Sequence, residues 1–288
     1  MPGVREIKRR IQSVKSTRQI TKAMKMVSAA KLYKSQKNVL AARPYSEKLQ
    51  ELFSKLSFCS KDGAALPLLG KRDIKHTAVI LVTGNRGFVG GFNHTLTQMA
   101  LAENNGETEF IAVGSKGRDV LISQGCIVKH EYCSIKDVVS YEDVAPLGDL
   151  IVSSYEGGQF DCVKIIYQKF LSAGKQEPTV STLLPISNEK PGTPIDDEYY
   201  NPLEEYIFEG DSLEILNNLS KKYVYNTLLQ AIMECKTSEH IARMTAMNSS
   251  TDNATEMMKK LQMDYNRSRQ AAITREIAEI SGCTNTMK

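Results

Sequence analysis

The stretch ATEMMKKLQMDYNRSRQAAITREIAEI, residues 254–280, lies within a run from 211 to 281 that contains neither Gly nor Pro. Small and apolar residues recur in this stretch at steps of three and four, which is the spacing of one helix face. A single helix through the whole run would be roughly 105 Å long, too long for a domain of this size to enclose. The sequence therefore predicts a long helix that needs a partner along its side. The small and apolar residues form two rows along the helix. The first row is Ala254, Met258, Leu261, Tyr265, Ser268 and Ala272, and the second is Ile273, Ile277 and Ile280.

The N-terminal end of the chain offers such a partner. Residues 4–43 also lack Gly and Pro, and apolar residues resume beyond Pro44, so a helix is expected over residues 1–60. Two long helices with apolar stripes pair most simply as an antiparallel coiled coil, in which each covers the apolar face of the other. The predicted N-terminal stripe consists of Val4, Ile7, Ile11, Val14, Ile20, Met24 and Val27.

The middle of the chain has a different pattern. Short apolar runs alternate there with helical or turn segments, which predicts a small, doubly wound, mostly parallel sheet in a Rossmann-like domain. The expected division is a coiled-coil helix over 1–60, an α/β domain over 75–195 and a second coiled-coil helix over 211–288. The four predicted strands are HTAVILVT, EFIAVG, CIVKHE and CVKIIYQKF, and the helical segments are FNHTLTQMALAEN, SKGRDVLISQG and VAPLGDLIVSSYEGG.

The composition narrows the class of protein. No apolar run approaches the roughly 18 to 20 residues of a membrane span, and the basic start has no apolar segment of a secretory signal behind it. The six cysteines show no CxxC spacing, and the four histidines form no HExxH-type pair. We therefore expect a cytosolic, reduced chain without structural disulfides, metal or cofactor.

Positive charge is concentrated at the N-terminus. Residues 1–45 contain twelve Lys or Arg and one acid, Glu6, for a net charge of +11, although the whole chain carries only +4. A basic block on an acidic body favours a polyanionic partner. From charge alone this partner is a nucleic acid, an anionic membrane or an acidic protein surface.

The glycine-rich stretch VTGNRGFVGGFN, residues 82–93, follows a predicted strand and raises the possibility of a nucleotide site. A dinucleotide site needs GxGxxG and an acid after the second strand, whereas this stretch reads GxxGxxGG and the second strand ends in GSKG. It also contains no Lys, which a P-loop requires. These differences favour a tight strand-to-helix turn over a nucleotide-binding enzyme.

No other catalytic pattern is present in the sequence. The adjacent acids Asp196, Asp197 and Glu198 lie in a polar loop and indicate a solvated run. No GxSxG elbow occurs. The residues alone therefore predict a mechanical or scaffolding protein without a catalytic site.

The two ends and the glycine turn resemble one known family. REIKRRIQSVKSTRQITKAMKMVSAAKL with ARPYSEKL resembles the N-terminal helix of the γ subunit of F-type ATP synthase. SEHIARMTAMNSSTDNATEMMKKLQMDYNRSRQAAITREIAEI resembles the second long helix of that family, including its ITxEIxEI signature. The resemblance covers nearly the whole chain in order.

This resemblance implies a rotor. A member of this family is the central shaft that couples ion-driven rotation of the membrane c ring to ATP synthesis or hydrolysis in the α3β3 ring. It has no catalytic site of its own, and its implied partners are α, β, ε and the c ring. The implied location is peripheral, on the cytoplasmic face of a bacterial cell membrane, with H⁺ or Na⁺ as the coupling ion.

The resemblance also implies roles for single residues. Its basic face would pass acidic loops of the β subunits, and other positions would contact β or affect coupling. A foot would contact ε and the c ring. The implied coupling contacts are Met24, Arg243, Arg269, Gln270, Thr274, Glu276 and Glu279; the basic face is Arg9, Arg10, Lys15, Arg18, Lys22 and Lys25; the foot is Tyr206 and Glu209.

Alternatives remain for several of these residues. Met24 also suits a helix seam, the basic face also suits a solvated helix surface, and Glu276 and Glu279 also suit solubilising charges. The C-terminus departs from the family pattern, because polar SGCT at 281–284 stands where VGGA and further alanines are usual. The regulatory cysteine pair of chloroplast members is absent from the sequence, so thiol control is not expected.

Overall fold

A computed structural model describes residues 4–59, 67–70, 72–186 and 212–286. Two long helices, α1 and α5, lie at the two ends of the chain, and a small α/β arrangement lies between them in sequence. This confirms the predicted fold class. In chain order the elements are α1 Val4–Cys59, β1 Thr77–Val82, α2 Phe92–Ala102, β2 Glu109–Val113, α3 Ser115–Ser123, β3 Val128–Tyr132, α4 Tyr141–Glu156, β4 Cys162–Ser172, β5 Lys175–Leu184 and α5 Ser212–Thr286.

The five strands form one sheet in the order β3-β2-β1-β4-β5. The first four strands are parallel, and β5 is antiparallel to β4. Every residue of the central strand β1 is buried, since neighbouring strands and helices cover it on all sides. Strand β1 pairs with β4 only as far as Leu81 and Ile166, whereas β4 continues beside β5 to Ser172. Among the described strands, none therefore lies beside the second half of β4 on its β1 side.

Strand β5 was not predicted from the sequence. Its residues KQEPTVSTLL are mostly half-exposed or exposed, and Pro178 lies in the middle of the strand. Proline is tolerated in strands mainly at sheet edges, where its missing N–H leaves no gap in the hydrogen bonding. This edge position accounts for the weak apolar pattern.

The chain divides into two compact units, each of which includes part of both long helices. Unit 1 consists of residues 1–30 and 243–288, and unit 2 consists of residues 31–242. Unit 2 contains the whole sheet and its apolar core. The three-part division of the sequence follows changes of secondary structure instead, and it stays a prediction.

The apolar stripe predicted along α1 is wrong in its middle. Ile20 and Val27 are 60% and 56% exposed, whereas Thr21 and Ser28 are buried in their place. A row of positions that starts at Ile7 and alternates steps of four and three contains every buried residue described in α1, and this alternation is the coiled-coil repeat. Ile20 and Val27 lie one residue, or about 100°, away from that row. The repeat, and not the apolar character of single residues, determines the buried face.

Candidate functional site

The glycine turn after β1 is held by side chains and backbone groups of unit 2. The Gly84 N–H donates to Asn93 Oδ1 at 3.0 Å, and the Gly117 N–H donates to Thr83 Oγ1 at 2.9 Å. Asn85 Oδ1 accepts from the Ser115 N–H at 2.9 Å, at the start of α3. Several of the amides that a phosphate could use at this edge of the sheet therefore already have protein acceptors.

Helix α5 contributes a carboxylate to the same turn. A Cβ placed on Gly84 would lie 2.7 Å from Glu239 Oε1, so only glycine allows this close approach. Glu239 is buried, and its other oxygen lies 3.6 Å from the Lys236 ammonium. A phosphate at this edge would meet a like charge. The geometry therefore favours a turn that packs against α5 rather than a phosphate site.

Three of the turn's glycines have no close neighbours. A Cβ on Gly87, Gly90 or Gly91 would meet nothing within 4 Å, and only Gly90 among the four has a positive φ, of 60°. Phe88 also adopts a positive φ, of 62°, and its side chain is exposed. The steric requirement for glycine thus rests on Gly84 and Gly90.

The titratable side chains described in unit 2 fit neither of two kinds of reactive site, a metal centre and a nucleophilic thiol. Among the residues that the structure describes, no group of three or more His, Cys, Asp or Glu side chains could hold a metal ion. Burial raises the pKa of Cys235 to about 12, and burial is also the main cause of the raised pKa of Cys162. Thiols with raised pKa values stay protonated at neutral pH and are poor nucleophiles.

In unit 1, polar contacts join the two long helices along their seam. Lys25 Nζ donates to Asn248 Oδ1 at 2.5 Å, and Thr251 Oγ1 donates to Thr21 Oγ1 at 2.9 Å. From the first pair to the second, the residue number decreases along α1 and increases along α5. The two helices are therefore antiparallel. The buried seam is thin, because small and polar residues make up much of it. Its buried members are Ile7, Thr21, Ser28, Arg243, Met247 and Ala254.

The predicted basic face is divided between two environments. Arg18 and Lys25 are half-buried, and Lys25 belongs to the seam. Arg10 forms an exposed ion pair with Glu6 at 3.0 Å within the same helix. The cations that are exposed are Arg9, Arg10, Lys15 and Lys22.

Four of the predicted coupling contacts of α5 lie on a stretch that the described part of the chain leaves uncovered. Every residue from 269 to 278 is exposed, which includes Arg269, Gln270 and Glu276. Thr274 Oγ1 donates to the Gln270 carbonyl at 2.9 Å, one turn earlier in the same helix. We call residues 269–278 the bare stretch.

The remaining predicted site residues lie elsewhere. Met24 is half-buried on α1, and Arg243 is buried on α5. Glu279 belongs to α5, but its side chain lies outside the described part of the structure. Tyr206 and Glu209 lie outside the described residues.

Unit 1 also exposes large apolar side chains on both helices. Single exposed apolar residues are ordinary, but several on two paired helices favour a surface that a partner covers. Among the described helices, none combines the length and the apolar character that crossing a bilayer requires. The exposed apolar residues of unit 1 are Ile20, Met26, Val27, Met257, Met263, Ile273 and Ile277.

Sequence reasoning missed a buried polar group in unit 2. Arg43, Glu234 and Ser238 contact the backbone of β4 from α1 and α5. In the sequence, the segment ARPYSEKL indicates only a family resemblance. The charged residues around Glu234 show no periodic pattern that would predict their burial. Only the folded topology brings positions 43, 170 and 234 together.

Comparisons with known proteins agree over the full chain. A family model described as ATP synthase matches residues 3–287. The ATP synthase gamma chain of Pelotomaculum thermopropionicum is 39% identical over 98% of both chains, and that of Geobacter metallireducens is 42% identical over all of both. A chain in the Euglena gracilis mitochondrial ATP synthase shares the fold, with a TM-score of 0.73 and 20% identity, over 99% of this chain and 94% of that one.

Proposed function

The chain belongs to the ATP synthase gamma-chain family, and we propose that it is the central shaft of an F-type ATP synthase. In this role it is a component of an enzyme complex and contributes no catalytic site itself. It transmits rotation between a membrane c ring and an α3β3 ring, in which the nucleotides bind. The shaft works through rigid-body contacts that move each β subunit between open and closed states.

The bare stretch is the observation that most supports this role. A helix exposed on all sides gains no packing from its own chain, so its sequence is free to serve contacts with other subunits. We infer that Arg269, Gln270, Thr274, Glu276 and Glu279 contact β, and that Met24 and Arg243 lie where shaft and β pass. The exposed cations near the N-terminus would move past acidic β loops without fixing one position, since solvated charges attract over a distance.

Unit 2 would contact ε and the c ring, with Tyr206 and Glu209 as the foot. The complex, and not the chain itself, would be attached to the membrane, on the cytoplasmic face of a bacterial cell. A nucleic-acid or anionic-membrane binder is the weaker alternative. Lys25 contacts α5 and Arg10 pairs with Glu6, which leaves fewer free cations for a polyanion than the sequence suggested.

Reconstitution tests the proposal. The purified chain is mixed with α and β subunits from the same source, and complex formation and ATP hydrolysis are measured with and without it. We expect a stoichiometric complex whose steady hydrolysis requires the chain, and rotation of a bead attached to unit 2. No complex, or hydrolysis that is independent of the chain, would overturn the proposal. Specific DNA or vesicle binding that survives ~0.2 M salt would favour the alternative.

A further inference from the structure

Helix α5 is enclosed where it passes the sheet in unit 2. Ten of the eleven residues from 231 to 241 are buried, and Met233 is half-buried. We call these residues the enclosed stretch. Several of its buried residues are polar or charged, and such groups are costly to bury unless they have partners. Their partners include backbone groups of the sheet.

The second half of β4 supplies these backbone groups. Beyond Ile166 strand β4 has no described strand on its β1 side, so alternate residues there present N–H and C=O groups that need other partners. Ser238 Oγ donates to the Gln168 carbonyl at 3.3 Å. Two residues further, the Phe170 N–H donates to Glu234 Oε2 at 3.2 Å. Side chains of helix α5 thus bond the backbone groups of β4 that a neighbouring strand would otherwise pair with.

Helix α1 completes the same arrangement through Arg43. Its guanidinium donates to the Phe170 carbonyl at 3.0 Å and lies 3.8 Å from Glu234 Oε1. Both backbone groups of Phe170 are therefore bonded, one to each long helix. Gln230 Nε2 adds a hydrogen bond to Glu234 Oε1 at 3.0 Å. We call Arg43, Glu234 and the Phe170 backbone the junction.

The junction differs in kind from the apolar contacts around it. Apolar contacts are non-directional, so they hold a helix at a given rotation only through the fit of its packed side chains. A buried carboxylate with directed donors has one good geometry, and loss of a partner leaves an incompletely compensated charge. The junction therefore fixes the rotation of α1 and α5 against β4.

The chain leaves unit 2 only at residues 30/31 and 242/243, both within the long helices. Any load applied to the sheet must therefore enter α1 and α5 inside unit 2 before it follows the chain onward. We propose that Arg43 and Glu234 are positioning residues for energy coupling, which transmit torque from the α/β domain to the two shaft helices. This inference rests on the proposed function.

The test uses the intact synthase in vesicles, with the wild-type chain or a variant in place. Glu234→Gln removes a charge at nearly constant volume, Arg43→Gln removes the guanidinium and shortens the side chain, and Arg43→Lys keeps the charge. Lys48→Gln is the matched control, because it removes an exposed ion pair with Glu51 from the same helix. Three quantities are measured: the yield of complex, the rate of ATP hydrolysis, and the ATP-driven ion uptake for each ATP hydrolysed.

We expect Arg43→Gln and Glu234→Gln to lower ion uptake per ATP by about tenfold, the low end of the factor for one lost hydrogen bond to a charged group. Hydrolysis should continue, because the catalytic sites are on other subunits. Arg43→Lys should recover most of the ratio, and Lys48→Gln should equal wild type. A residue that only stabilised the fold would lower yield and melting temperature and leave the ratio unchanged.

A milder variant keeps the test decisive if the charge variants assemble poorly. Ser238→Ala removes one hydroxyl beside the junction, and we expect a smaller drop in the same ratio. Wild-type ratios for every variant that assembles, Ser238→Ala included, would overturn the inference. Wild-type vesicles that neither hydrolyse ATP nor take up ions would instead contradict the proposed function.

Discussion

Helix α5 contains two stretches of similar length with opposite surroundings. The enclosed stretch, 231–241, is buried almost throughout, whereas every residue of the bare stretch, 269–278, is exposed. Both lie in the same run without Gly or Pro, and both contain apolar and charged residues. The comparison shows that one continuous helix can be enclosed by its own chain along one stretch and left uncovered by it along another. The same substitution should therefore have different effects in the two stretches.

The largest expected contrast is between two isoleucines. Ile232 is fully buried, so Ile232→Ala should lower the free energy of unfolding by about 3 to 4 kcal/mol through lost burial and a cavity. Ile277 is 60% exposed, and Ile277→Ala should change it by less than about 0.5 kcal/mol. Urea unfolding of the isolated chain measures both. Equal effects would show that the bare stretch is packed in solution.

The bare stretch should become sensitive only in the complex. We expect Arg269→Ala to leave the melting temperature of the isolated chain unchanged, because the side chain is exposed there. In the complex it should slow ATP hydrolysis by about tenfold, through loss of charged hydrogen bonds to β. Lys259→Ala, at an exposed position of the same helix, is the control. Similar slowing by both variants would argue against a specific role of Arg269.

The sequence predicts those features whose contacts join residues close together in the chain. It does not predict features whose contacts join residues far apart in the chain. Helices α2 and α3 and the strands β1, β2, β3 and β4 follow from local apolar runs bounded by turn residues. The bare stretch also follows, since its helix is too long for its own chain to cover. The buried row of α1 does not, because Thr21 and Ser28 are buried by the repeat and not by their own chemistry. The junction depends on three distant positions, and no local pattern indicates them.

The glycine turn tests the contacts around the enclosed stretch. Gly84→Ala would force the buried Glu239 carboxylate to move, and we expect a loss of about 1 to 2 kcal/mol in unfolding free energy. Gly87→Ala, where the space is open, is the matched control and should have a much smaller effect. In a Glu239→Ala background the cost of Gly84→Ala should largely disappear, because the clashing group is gone. Persistence of the full cost in that background would contradict the proposed packing.

Substitutions in the seam of unit 1 are expected to change the free energy of unfolding by less than those in the enclosed stretch and by more than those in the bare stretch. Thr251→Val removes a hydroxyl that donates to Thr21, and the loss should be about 1 kcal/mol. Thr274→Val makes the same change in the bare stretch, where the hydroxyl bonds only to its own helix, and should be nearly neutral. Amide exchange of residues 243–255 reports the local opening of the seam. Unchanged protection in Thr251→Val would show that the hydrogen bond from Thr251 to Thr21 does not help to hold the helices together.

The smallest effect concerns pH and the ion pair of Lys31 with Asp137. Burial would raise the pKa of Asp137, but the hydrogen bond and charge of Lys31 outweigh it, with His240 and Lys236 adding to them, so the pKa is lowered. The contribution to stability is therefore present above the ordinary Asp pKa of about 3.9 and is lost as the pH falls through the lowered value. Screening of this partly exposed pair keeps the effect small.

We expect Lys31→Gln to lower the melting temperature by no more than about 2 °C at neutral pH, because half-exposed ion pairs contribute little. The difference from wild type should shrink as the pH falls through the lowered pKa of Asp137, and vanish where Asp137 is protonated in both folded and unfolded chains. Lys260→Gln removes the exposed pair with Glu256 one turn away on α5, where Lys260 also lowers the pKa of Glu256, and should show a smaller difference with the same pH dependence. A pair that joins the loop before α4 to α1 constrains the fold, whereas a pair within one helix turn constrains only that turn. A difference for Lys31→Gln that grows toward low pH would reverse the assigned direction of the Asp137 pKa.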